Sequence, residues 1–212
     1  MAISDIFEKV QKEWEVLMGE NSKDKFFMNE VTYPDEASAR QAFARSKQKL
    51  FNVNGWSKLA GINSTFQLFT PGGEKSTAPK PTVGDYMKIV LPGTAIENWV
   101  TISEVVDEEN VAQFVVNPSP KPAPIADNVA EVKHFFAKEA SSTFRVYLDG
   151  TTVKGMEIGK EEVINNKGEE AGDRALLNTL ISEGGWAGFQ DHQWDKITKY
   201  FVHQEETPEE KN

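Results

Sequence analysis

Three short apolar runs, residues 86–91, 99–106 and 111–116, follow one another closely, with Pro92-Gly93 opening the first gap and Asp107-Glu108-Glu109-Asn110 filling the second. Gaps this short hold no crossover helix, so neighbouring runs pair antiparallel. Strands at such spacing with turn residues between them predict a meander or small barrel. Residues 65–69 read as a further strand. Phe144-Arg145-Val146-Tyr147-Leu148 alternates as a half-buried one. Asp149-Gly150 is a two-residue hairpin signal that returns residues 152–158 antiparallel to it. The fold class expected is α+β: about six antiparallel strands, a curled, small-barrel-like meander near 84–117, and flanking N- and C-terminal helices. No repeated βαβ spacing supports a doubly wound sheet.

Helical spacing frames these strands. Ser4 precedes Ile6, Val10, Trp14, Leu17 and Met18, and Asp35 precedes Ala39, Ala42, Phe43, Ser46 and Leu50. Asn52, Asn54 and Gly55 suit the exit of that second helix, and Trp56 is expected to pack back onto it. Residues 19–34 read as irregular around Phe26-Phe27, and residues 71–81 as a mobile loop. A third helix after Asp127 would turn Val129, Val132, Phe135, Phe136 and Ala140 inward, with Ser141-Ser142-Thr143 as a turn into the next strand. After the turn-forming Asn165-Asn166-Lys167-Gly168, a fourth helix bears Leu176, Leu177, Leu180 and Ile181. A last helix, capped by Asp191, buries Trp194, Ile197 and Phe201. Residues 1–204 read as a single domain, in which the proline-rich stretch 117–126 is a candidate internal boundary because proline forces it extended. Residues 205–212 read as a disordered acidic tail.

The chain has 33 acidic against 23 basic residues, a formal charge of -10. With no basic cluster, it would repel a phosphate backbone, which argues against nucleic acid as a partner. No apolar run approaches the roughly 20 residues that span a bilayer, and the charged start lacks the apolar core of a secretory signal. The absence of cysteine excludes disulfides and thiolate chemistry. Together these features predict a cytoplasmic protein with no membrane partner.

No motif specifies a reaction. No serine occupies a Gly-x-Ser-x-Gly elbow, and Gly184-Gly185-Trp186-Ala187-Gly188 follows a helical pattern instead of a strand, which removes the phosphate-loop reading. His134 reads as an exposed helix residue. His192 and His203, on one helix at ~1.5 Å per residue, stand too far apart to share a metal. His192 with Asp195 could give two ligands, but no third follows in sequence, so neither metal nor cofactor is expected. The distinctive feature is the segment Gly184 to Trp194, where glycines alternate with Trp186, Phe189 and Trp194 beside His192. It reads as a glycine-rich aromatic corner, buried or lining a site. Three functions are consistent with it. The leading one is a non-enzymatic binding protein that takes an unidentified small molecule or peptide through Trp186, Phe189 and His192. The second is a structural or protein-interaction module, a candidate homo-oligomer. The third is an enzyme using dispersed carboxylates and His192, with no catalytic residues assignable.

Overall fold

The computed structural model describes residues 25–90, 97–122, 140–160 and 185–211, with the side chains of 185–190 excepted. The elements run β1 (Lys25–Thr32), α1 (Glu36–Phe51), α2 (Val53–Trp56), β2 (Thr65–Phe69), β3 (Tyr86–Val90), β4 (Glu97–Asp107), β5 (Val111–Pro118), β6 (Ser141–Asp149), β7 (Thr152–Lys160) and α3 (Gly185–Phe201). The seven strands form one sheet in the order β1-β7-β6-β5-β4-β3-β2, with every neighbouring pair antiparallel. The class is α+β. The run near 84–117 supplies β3, β4 and β5 of this open sheet and does not close into a barrel of its own, because β3 and β5 each find a further partner, β2 and β6. The expected N-terminal helix after Ser4, the helix after Asp127 and the helix through Leu176 lie outside the described residues.

Alternation sorts each strand into two faces. Phe66, Met87, Ile102, Phe114, Phe144, Val146 and Val153 turn toward the helices and join Phe43, Leu50, Trp56, Ile197 and Phe201 in the main core. Trp56 is its centre: its ring lies 5.5 Å from Phe66, 5.0 Å from Phe144, 5.4 Å from Phe201 and 5.9 Å from Phe114. Its Nε1–H donates to Lys49 O at 3.0 Å, so the large ring is buried without orphaning its one polar atom. As expected, Asp35 caps α1, accepting from Ser38 N at 2.7 Å, and Trp56 packs back beneath it.

The opposite face carries Val111, Tyr147, Met156 and Ile158, with Phe26 and Met28 against them. A polar row crosses this face: Arg145 Nε donates to Gln113 Oε1 at 2.7 Å, and Gln113 Nε2 to Glu104 Oε1 at 2.6 Å.

Strand β4 keeps its register by a bulge. Ile102 pairs with Val116 and Glu104 with Val115, so Ser103 is the extra residue. The device lets Val100 and Ile102 before it, and Val105 after it, pack on the helix side. It also resolves the mixed polar and apolar pattern of the run.

Four local expectations are corrected. Phe26-Phe27 lies in edge strand β1, which pairs with β7 from Lys25↔Gly159 to Thr32↔Thr152. Its partner is distant in sequence and its helix-facing Asn29 breaks the apolar alternation. Ser141-Ser142-Thr143 opens strand β6. The hairpin loop is Gly150-Thr151, one residue later than expected, with Gly150 at φ +58 and hence glycine at the first loop position. The acidic end does not hang free, since residues 205–210 bond back onto α1, onto Lys58 just beyond α2, and onto α3. The proline-rich stretch expected as a boundary joins β5 and β6, which are hydrogen-bonded neighbours in the same sheet. The loop after β2 is irregular as expected but tied: Ser76 N donates to Leu68 O, and Asn54 takes Leu68 N at 2.8 Å and gives to Ser76 O at 2.9 Å. These bonds occupy the outer edge of β2, which would otherwise be an open template for pairing.

Candidate functional site

Helix α3 lies across β1 and β7 on the helix side of the sheet. It comes so close at Gly155 that a Cβ there would stand 2.8 Å from Thr198 O and 2.9 Å from Phe201 Cβ. Asn29, across from Gly155 on β1, fixes the helix by donating to Asp195 Oδ1 at 3.1 Å and Thr198 Oγ1 at 2.9 Å. Farther toward its N-terminus, α3 meets the segment leading into β2. The Phe66 ring lies 6.4 Å from Trp194, and Trp194 lies 5.4 Å from Phe144. Lys196 Cε approaches the place of a Gly61 Cβ to 3.0 Å.

Among the described residues, Ser64 Oγ, two positions before Phe66, and Gln193 Oε1, next to Trp194, are buried without a hydrogen-bond partner. Ser64 is 1% exposed and Gln193 3%. Ser64 stands between Ile62 and Phe66, two core residues at the same alternation. Gln193 adjoins Trp194 in the stripe that Ile197 and Phe201 continue. An unmade hydrogen bond on a buried group costs about 1–3 kcal/mol, and native proteins leave few such groups without water, ion or ligand. Glu157, opposite Phe27 and Phe144, brings a buried carboxylate to the same side of the sheet.

The residues singled out by sequence separate on this frame. The segment expected as a glycine-rich corner is helical from Gly185, so Trp186 and Phe189 belong to the first turns of α3, and Asp191 lies inside the helix instead of capping it. Glycines at 184 and 185 suggested a break, but Gly185 opens the helix and Gly188 lies inside it. At about 100° per residue, position 186 falls in the same stripe as Gln193, two turns away, and position 189 at its border. His192 is exposed, on the other side of the helix from Trp194. Its neighbour Asp195 has both oxygens engaged, Oδ1 by Asn29 and Oδ2 by Lys199 at 2.7 Å. Burial opposes ionisation of Asp195, but the bonds from Lys199 and Asn29 outweigh it and hold the carboxyl below its ordinary value. A carboxylate so occupied and so acidic is a poor base and a poor metal ligand. Beyond the end of α3, His203 turns left-handed at φ +65. Sequence reasoning missed Ser64, Gln193 and Glu157. Of these only Gln193 left a trace, four residues before Ile197 and next to Trp194.

No family model matches the chain, and no curated protein sequence does. Among solved structures it is similar to a hypothetical protein of Helicobacter pylori, at 12% identity over 88% of this chain and 92% of that one, with TM-score 0.49. It is also similar to norcoclaurine synthase of Thalictrum flavum in complex with dopamine and hydroxybenzaldehyde, at 14% identity over 87% and 90%, TM-score 0.40. A protein of Nitrosospira multiformis gives 11% identity over 89% and 100%, TM-score 0.39. Likeness at this level assigns neither family nor activity.

Proposed function

We propose that this protein binds a small molecule between the sheet and the N-terminal half of α3, through a hydrogen-bonding group that meets Gln193 Oε1 and Ser64 Oγ and an apolar body that meets Trp194 and Phe66. The observation that carries this reading is that two buried polar atoms without partners, those of Ser64 and Gln193, lie within two residues in sequence of the Phe66–Trp194 ring contact. An aromatic wall with a few convergent polar groups is the usual make-up of a ligand site. Trp186 belongs to the proposed site by its place on the same helix stripe, and Phe189 to its border. His192 stands outside it. The association reading needs an apolar surface patch, and among the described residues Val83 is the one large hydrophobic that is exposed. The catalytic reading needs a free base at His192, which Asp195 does not supply. Among the described residues no helix is long and apolar enough to cross a membrane. A cytoplasmic setting is supported by the cysteine-free composition.

The test is a fluorescence screen of small-molecule classes on the parent protein and on Gln193→Leu. A ligand that shifts tryptophan emission in the parent should bind the variant at least five-fold more weakly, about 1 kcal/mol. The unliganded variant should melt at or above the parent temperature, because an orphaned acceptor has been replaced by an apolar group of similar size. The proposal fails if no class perturbs the emission, or if a hit binds Gln193→Leu as tightly as the parent.

A further inference from the structure

The chain after α3 turns back on the helices at a cluster of titratable groups that the proposed site does not use. Helix α3 ends at Phe201, and His203, at φ +65, sends the chain over the end of α1. His203 Nε2 lies 3.0 Å from Ala42 O and 3.1 Å from Ser46 Oγ. A carbonyl only accepts, so Nε2 carries the proton of the neutral ring and Nδ1 is where a second proton would add. Beyond it, Gln204 N donates to Lys199 O and Gln204 Nε2 to Glu30 O. Glu205 pairs with Lys196 at 3.2 Å and offers its carbonyl to Lys49 Nζ. Thr207 is buried, its N–H bonded to Glu210 Oε2 at 2.8 Å. Glu209 pairs with Lys58. Beneath this strap Lys49 Nζ sits 4.4 Å above the Tyr200 ring and 3.7 Å from Glu210 Oε1.

We propose that residues 203–210 form an acid-released clasp, in which protonation of His203 on Nδ1 frees the strap from α1 and α3 and uncovers the Lys49–Tyr200 pair. The ring is wedged against α1, whose Arg45 and Lys49 are both cationic, while the charges facing it or Lys49 from the strap are Glu206 and Glu210. Burial first, then the Lys49 and Arg45 charges, hold the His203 pKa below its ordinary 6.5, against the Ala42 bond and Glu210, which raise it. The sign follows. As pH falls through about 6.5 a released histidine takes up its proton before the docked one, so the docked state loses ground continuously down to its own, lower pKa.

The experiment is hydrogen exchange on the full chain at pH 7.5 and pH 5.0, corrected for intrinsic exchange and read at the amides of Gln204, Thr207 and Glu210. It is run on the parent and on His203→Gln, which keeps a donor for Ala42 O and cannot titrate. Protection of these amides should drop at least ten-fold at pH 5.0 in the parent and stay level in the variant. Proton NMR of the parent follows the His203 ring independently of whether the variant folds, and its titration midpoint should lie below 6.5 and coincide with loss of protection. Unchanged protection in the parent, an equal drop in His203→Gln, or a release midpoint apart from the ring's own titration would overturn the proposal.

Discussion

Gly155 shows how little room a single side chain has in this packing. The atoms that a Cβ would meet at 2.8 and 2.9 Å are a backbone carbonyl and a Cβ of α3, neither of which can swing aside. Gly155→Ala should therefore displace the helix and cost about 1–3 kcal/mol, the range of overpacked cores. Denaturant titration measures this, and a midpoint equal to the parent would mean that the helix yields more easily than its contacts suggest. Trp99 tests the reverse, removal of bulk. It is 2% exposed, its ring lies 4.8 Å from Phe69, and its Nε1 donates to Glu97 Oε2. Trp99→Ala should cost about 3–5 kcal/mol, as truncation of a buried aromatic usually does. The orphaned atoms of Ser64 and Gln193 were not legible in the sequence. An unmade hydrogen bond is a property of surroundings, and surroundings leave no trace in the local letters.

At the level of elements, legibility followed the range of the interactions that define each one. Helix α1, strand β2 and the β6–β7 hairpin were readable because capping, alternation and turn residues act over a few positions. Strand β1 was not, since its identity comes from β7, and the first turns of α3 were concealed by glycines that favour a break. The edge of β2 offers a prediction at this scale. Asn54 serves both the edge strand and the loop beside it, accepting from Leu68 N and Gln67 Nε2 and donating to Ser76 O. Asn54→Ala leaves those groups to water or to one another, and should cost about 1–3 kcal/mol. It should also speed exchange of the Leu68 amide. If that amide stays protected, the bonds of Ser57 Oγ to Phe66 N and O and of Ser76 N to Leu68 O hold the edge without Asn54.

For the molecule as a whole, the C-terminal strap closes what would be an open end of the core. Deleting residues 205–212 removes the ion pairs of Glu205, Glu209 and Glu210 and the burial of Thr207. Exposed ion pairs are each worth only about 0–1 kcal/mol, so the truncated protein should melt lower by an amount equivalent to about 1–2 kcal/mol. Full retention of the melting temperature would show the strap to be an ornament of the surface.

The strand order also dictates a schedule. From β2 to β7 each strand pairs with its successor, but β1, the earliest of the described strands, pairs among the described residues only with β7, translated after it by more than a hundred residues. A ribosome releasing this chain must present Phe26 and Phe27 as an unpaired, apolar strand edge until nearly all of the sheet exists. Closure of so long a loop is slow, and an unpaired edge is where chains meet the wrong partner. In refolding followed by pulsed hydrogen exchange, the amides of β3 to β5 should gain protection before those of β1. The aggregation hazard of this protein then lies in its first strand, for as long as its last one is missing.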